Sequence, residues 1–269
     1  MPTPWETGLV TGASSGIGRA IARRLVVEGT NVVAVARDTD RLAALADEAS
    51  RATPGSAAEP AIGQVEVLAA DLAEAEGLTS VEARLAEASR PVDLLVNSAG
   101  FGTYGRFDDL PIDEEEREVR LNVLAIVRLS HAALRTMRAR GRGAILNLSS
   151  VAGLQATPRN ATYGATKAFV ASFSEALYEE NRGSGVTVTA VLPGFTRTEF
   201  QQRAGIDGRN IPGFAWQSAE ECAAQALAVT RAGKPFFIPG VINKTTAALI
   251  GPTPRGLRRR IAARVTDHL

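Results

Sequence analysis

The stretch "GLVTGASSGIGRAIARRLVVEGTNVVAVAR", Gly8 to Arg37, decides the fold. It opens on a short apolar run, turns through glycines and serines, continues with a helical period, and closes on a second apolar run, Asn31 to Ala36. The turn "TGASSGIG", Thr11 to Gly18, sits where the first strand hands over to the first helix. Glycines there permit a tight turn and let the backbone approach an anion, and the helix N-terminus adds free N–H groups and a partial positive charge. A pyrophosphate would sit there well. A glycine turn between the first strand and first helix of a βαβ unit is the context that a dinucleotide site requires.

The same alternation continues along the chain. Glu6 to Val10, Asn31 to Ala36, Gln64 to Ala69, Leu94 to Asn97, Ala144 to Leu148 and Val186 to Leu192 read as buried strands, and Lys234 to Gly240 as a last one. Between them lie amphipathic stretches such as "DRLAALADEASR", "LTSVEARLAEAS", "LNVLAIVRLSHAALRTMRARG" and "KAFVASFSEALYEENRG". Right-handed crossovers then predict an α/β fold, a doubly wound parallel sheet (Rossmann fold) in a single domain over residues 1–269. Ala52 to Gly63, rich in proline, glycine and small residues, reads as an exposed loop. Residues 195–216 read as a lid segment, and 243–269 as a C-terminal helical extension.

Composition narrows the function classes. With 30 Lys and Arg against 29 Asp and Glu, the net charge of +1 lacks the basic excess of a nucleic-acid binder. Cys222 is the single cysteine, so no intramolecular disulfide forms and no thiolate-cluster metal site exists. His131 and His268 are too few for a histidine metal site or a Ser-His-Asp hydrolase. No metal is expected. No basic start precedes an apolar run at the N-terminus, and no stretch nears the ~20 apolar residues of a spanning helix, so a cytoplasmic protein is expected.

The end of the second strand should reach the adenosine ribose, where an acidic residue would favour NAD. Here Ala36 is followed by Arg37, whose charged fork pairs with a 2′-phosphate. NADP is therefore the favoured cofactor and NAD remains possible, since the adjacent Asp38 carboxylate would also serve ribose hydroxyls.

Further along, "YGATK" places Tyr163 and Lys167 one turn apart on one face of a helix. With "TGASSGIG", Asp71, "NSAG" at Asn97 to Gly100, Asn122, "LSSVAG" with Ser150, and "PGFTRT" at Pro193 to Thr198, the chain resembles the short-chain dehydrogenase/reductase family in its single-domain form. The resemblance implies an NAD(P)-dependent oxidoreductase, an NADPH-dependent reductase of a ketone or aldehyde that runs reversibly as a secondary alcohol dehydrogenase. It implies Asn122, Ser150, Tyr163 and Lys167 as catalytic residues. Gly12, Ser14, Ser15, Gly16, Ile17 and Gly18 would cradle the cofactor, with Arg37 at its 2′-phosphate and Asp71 and Leu72 at its adenine. Asn97, with Ala99 and Gly100, would support the central strand and the inner ribose, and Pro193, Gly194, Thr196 and Thr198 would close over the nicotinamide.

Chemistry explains the pairing of phenol and ammonium. Carbonyl reduction needs a proton donor aimed at oxygen, and a free tyrosine with a pKa of ~10 gives its proton up slowly near neutrality. A lysine ammonium one turn away, joined by the charge of the oxidised cofactor, should lower that value. Lys167 would also bond the nicotinamide ribose, Ser150 would hold the substrate oxygen, and Asn122 with a water would refill the proton.

Two readings compete with a reductase. One is a nucleotide-binding regulator or scaffold with little turnover, which would not need all four catalytic residues. The other is a nucleotide-sugar epimerase or dehydratase, which would bring a longer C-terminal domain. Phe195, Phe200, Ile206, Ile211, Phe214 and Trp216, with Phe101, Tyr104 and Phe107, either line a partly apolar pocket or pack the lid onto the body. The basic C-terminal stretch reads as a terminal helix over the pocket or a subunit contact in preference to a membrane-surface helix. The resemblance implies a homodimer or homotetramer.

Overall fold

The computed structural model describes residues 4–51, 61–205 and 212–240, together with 256 and 260. Its core is a seven-stranded sheet of β1 (Thr7–Thr11), β2 (Asn31–Ala36), β3 (Val65–Ala69), β4 (Leu94–Asn97), β5 (Gly143–Leu148), β6 (Val186–Val191) and β9 (Phe236–Phe237). The order across the sheet is β3-β2-β1-β4-β5-β6-β9, with every pair parallel. The expected doubly wound Rossmann fold is therefore present in one domain.

Neighbouring residues of each strand serve opposite faces, which is why the strands read as unbroken apolar runs. Val10, Val32, Ala34, Val96 and Leu146 pack with Ile21 and Leu25 of α1 (Gly16–Val27), Leu42 of α2 (Thr39–Arg51) and Leu227 of α8 (Ala219–Arg231). Leu9, Val33, Leu95, Ile145 and Val188 pack on the other face with Leu78 and Leu85 of α3 (Ala75–Ala86) and Leu129 and Met137 of α5 (Ala125–Arg140). Helix α8 starts on a reciprocal capping box between Ser218 and Glu221, which satisfies two of its free N–H groups.

The sheet order reverses between β1 and β4. Binding crevices in such sheets lie beyond the strand ends at this switch. The glycine turn follows β1, "NSAG" follows β4, and Ser150 follows β5, so all three motifs meet at that edge.

Several boundaries differ from the sequence reading. Helix α3 begins at Ala75 and ends at Ala86, and α6 (Ala161–Glu180) begins well before Lys167. The helix expected from Leu121 extends back to Ile112: α4 (Ile112–Val119) runs through a π turn, Arg120–Leu124, into α5. Positions 115, 118 and 122 face the interior but carry Glu, Glu and Asn, so no apolar stripe announces α4. The last strand is only two residues long.

The segment expected as a lid is bounded by a parallel ladder of β7 (Thr196–Arg197) with β8 (Gln217–Ser218), and between them lies the short helix α7 (Phe200–Arg203). Lid residues 206–211, including Ile206 and Ile211, lie outside the described residues, as does most of the loop at 52–63. The expected C-terminal extension does too, apart from residues 256 and 260, which are helical. Among the described residues, no helix is long and apolar enough to cross a membrane, and no group of His, Cys, Asp and Glu could hold a metal ion.

Candidate active site

The turn after β1 is built for close backbone approach. Gly12 and Gly16 hold φ of +69° and +55°, a region that favours glycine. A Cβ on Gly18 would lie 2.4 Å from the Gly12 carbonyl oxygen, and one on Gly12 would lie 2.9 Å from the Ala99 nitrogen. The Thr11 hydroxyl fixes the neighbouring loop by accepting the Ser98 and Ala99 N–H groups, both at 3.0 Å. Ser15 caps α1 without a side-chain hydrogen bond, and the first turn carries no acidic residue. Half-buried Ser14, Ser15 and Ile17 surround these N–H groups. Free donors, a helix dipole and no competing anion fit the pyrophosphate of a dinucleotide.

At the end of β2 the Arg37 guanidinium is 64% exposed and 3.6 Å from Asp71 Oδ2. That oxygen is held more closely by Arg117 of α4, at 2.7 Å, and Asp71 Oδ1 accepts the Ala73 N–H, with Leu72 buried between. Asp38 is turned to its own helix, accepting the Arg41 N–H at 3.0 Å. Arg41 grips Glu199 of the lid with both carboxylate oxygens, at 2.8 and 2.9 Å. Sequence reading missed Arg41, Arg117 and Glu199, because no local spacing links groups that meet only across the cleft.

The four expected catalytic residues converge. Ser150 accepts the Ala152 N–H at 3.1 Å, and its hydroxyl also bonds the Tyr163 phenol. Lys167 is buried and donates to the Leu148 carbonyl at 2.9 Å. Asn122, in the π turn, locks to the backbone of Phe101: its Nδ2 donates to the carbonyl at 2.8 Å and its Oδ1 accepts the N–H at 3.2 Å. π turns of this kind often mark functional sites. Gly100 is the meeting point, since a Cβ there would lie 2.8 Å from Asn122 Oδ1 and 3.5 Å from Lys167 Nζ.

In the protein alone, burial dominates the electrostatics of the Tyr163–Lys167 pair. Burial pushes the Tyr163 phenol up to about 12, Ser150 opposes this, and Glu118 adds to it. The Lys167 ammonium stands over the ring, 5.6 Å from the centroid, and is itself pushed down to about 8 by burial. The lowering expected from a lysine one turn away is outweighed, in the protein alone, by loss of water around the phenol.

Asn97 is buried, donating to Asn147 Oδ1 at 2.8 Å between β4 and β5, while its own Oδ1 has no partner. Its side chain thus serves the strand pair, leaving Ala99 and Gly100 on the cleft side. Pro193 is buried and accepts the Val151 N–H, with Gly194 following it. Thr196 is buried against Gln217, whereas Thr198 meets the glycine turn: a Cβ on Gly16 would lie 3.2 Å from its methyl group.

The aromatic residues divide. Phe200 packs on the Tyr163 ring with centroids 5.2 Å apart, while Phe195 and Trp216 pack on each other at 5.6 Å. Phe107 and Phe214 are exposed. Gly102 admits the phenol ring, since its Cβ would lie 2.8 Å from Tyr163 Cδ2. Gly164 proves to be a packing residue, with Thr157 Oγ1 in the place of its Cβ, and Ala165 lines a cavity of about 800 Å³ with Leu154, Gln155 and Pro158.

The family description "short chain dehydrogenase" matches residues 6–207. Sulfoacetaldehyde reductase 2 of Chromohalobacter salexigens is 37% identical over 194 residues, covering 71% of this chain and 73% of that protein. A short-chain dehydrogenase of Sphingobium yanoikuyae, solved in complex with NADPH, superimposes with a TM-score of 0.80 at 36% identity, covering 94% of this chain and 96% of that one. The bulky-bulky ketone specific alcohol dehydrogenase of Comamonas testosteroni gives 0.77 at 31% identity, with the same coverage of both chains. A glycine turn, a Ser-Tyr-Lys-Asn cluster and these likenesses agree, and the chain belongs to the short-chain dehydrogenase family of NAD(P)-dependent oxidoreductases.

Proposed function

We propose that the protein is an NADPH-dependent reductase of a ketone or aldehyde with apolar substituents, working in reverse as a secondary alcohol dehydrogenase. The observation that carries this reading is the meeting of Ser150, Tyr163, Lys167 and Asn122 at the same sheet edge as the glycine turn. Bound along that edge, the dinucleotide supplies the hydride.

The protein supplies the rest. Ser150 donates to the carbonyl oxygen and stabilises the negative charge that grows there. Tyr163 delivers the proton to the same oxygen, and Lys167, as ammonium, offsets the phenolate left behind. Asn122, locked to Phe101, orders the water that returns the proton. The Phe200 ring beside Tyr163 excludes other water from the phenol and presents an apolar wall to the substrate. The Comamonas relative, a bulky-bulky ketone specific alcohol dehydrogenase, supports a ketone as the substrate class.

NADPH preference rests on Arg37. It is the exposed cation at the end of β2, its link to Asp71 is long, and Arg117 already neutralises that carboxylate. The NADPH bound in the Sphingobium relative supports the same choice. Arg37→Asp should weaken NADPH binding about tenfold to a hundredfold and leave NADH binding within about twofold, since one charge-assisted phosphate contact contributes about 1.5–3 kcal/mol. Fluorescence titration with both cofactors checks it, and an unchanged preference would remove Arg37 from this role.

A further inference from the structure

Beneath the catalytic helix lies a pair of carboxyl groups that the reaction as described leaves unused. Glu118, on α4 one turn before Asn122, is fully buried, and Glu115 is nearly so. Glu118 Oε2 accepts the Thr103 N–H at 3.0 Å and lies 3.2 Å from the Thr103 hydroxyl, while its Oε1 is 3.5 Å from Asn122 Nδ2. The same hydroxyl is 2.5 Å from Glu115 Oε1, and Glu115 Oε2 accepts the hydroxyl of Thr162, the neighbour of Tyr163.

A threonine hydroxyl carries one hydrogen. With both carboxyls ionised, one of the two contacts to Thr103 would set lone pairs against each other with no hydrogen between them. A single proton on the pair removes the conflict. Neutral Glu118 then donates to Thr103 Oγ1, which donates to Glu115. Like charges in a dry site favour the same sharing.

The groups facing Glu118 are few. Its own helix contributes Glu115, and α6 contributes Lys167 and Tyr163. The loop after β4 presents Thr103 but no charge, because Arg106 is exposed beside Asp108 and Asp109. Burial pushes the Glu118 carboxyl up to about 7, Glu115 adds to this, and Lys167 opposes it.

We propose that Glu118, sharing one proton with Glu115 across Thr103, is a positioning residue that sets the charge of Lys167 and Tyr163 from beneath the active helix. Loss of the shared proton leaves a second negative charge there, which favours the Lys167 ammonium and disfavours the Tyr163 phenolate. The inference rests on Tyr163 and Lys167 acting as proposed above.

Glu118→Gln tests it by two readouts. Infrared difference spectra taken across neutral pH should show the carbonyl band of a neutral carboxyl group vanishing in the unaltered protein, and no such change in Glu118→Gln. The rising limb of alcohol oxidation against pH, which follows ionisation of Tyr163, should move down by about one unit in the variant, because a nearby negative charge has been removed. Should Glu118→Gln not fold, Glu118→Met, of similar volume and with no donor or acceptor to satisfy, takes its place. A missing carboxyl band overturns the shared proton, and an unmoved limb overturns the coupling. The infrared result needs no turnover, and failure of the site assignment itself would show separately as full activity in Tyr163→Phe.

Discussion

Tyr163→Phe is expected to lower turnover in both directions by about 10²–10⁴-fold, the usual contribution of a positioned proton donor, while NADPH binding stays within about twofold. The substitution removes one oxygen. The ring remains between Gly102 and Phe200, so packing persists, and the group lost is the one that Ser150 bonds. Steady-state rates with any accepted ketone, alongside fluorescence titration of the cofactor, separate the two effects. Substantial residual turnover would move the proton donor elsewhere, and weakened binding would mean that the phenol serves mainly to hold the cofactor.

The second large effect is expected at Gly18. Its side-chain position is filled by the Gly12 carbonyl group, with oxygen and carbon 2.4 and 2.9 Å from a Cβ, and backbone there has no free room to move. Gly18→Ala must displace either the turn or the start of α1. Overpacking of this kind costs about 1–3 kcal/mol, and it falls on the element proposed to present its N–H groups to the pyrophosphate. Cofactor affinity should drop about tenfold or more, with a lower melting temperature. Gly141→Ala is a useful contrast: it holds φ of +67°, yet nothing lies within 4 Å of its Cβ position, so stability alone should change. Equal affinity in Gly18→Ala and the unaltered protein would show that the turn tolerates displacement and is not the pyrophosphate cradle.

Much of this architecture is legible in the sequence because the strands are buried on both faces. Leu9 and Val10, or Ile145 and Leu146, are adjacent apolar residues that serve opposite layers, so the runs stand out from the amphipathic helices between them. Helix α4 is illegible for the opposite reason. Its inward positions carry Glu115 and Glu118, and a helical period in polar residues looks like a solvated loop until the partners Thr103, Thr162 and Asn122 are placed around it. The residues proposed as catalytic are legible through their spacing, but their electrostatics are not. Spacing puts Lys167 one turn from Tyr163, whereas only the fold sets its ammonium over the ring face and buries both groups. The Arg41–Glu199 contact joins α2 to the segment before α7 across 158 residues of chain, a distance over which local pattern carries no information.

The central claim is tested most directly by mixing the protein with NADPH and following the nicotinamide absorbance over a panel of ketones and aldehydes, graded from small and polar to bulky and apolar, with NADH in parallel. The account predicts consumption of NADPH on one or more apolar ketones, faster than with NADH. Tight NADPH binding without consumption anywhere on the panel would contradict it, and would turn the assembled Ser150, Tyr163, Lys167 and Asn122 into parts of a nucleotide-binding protein that does not turn over carbonyl substrates.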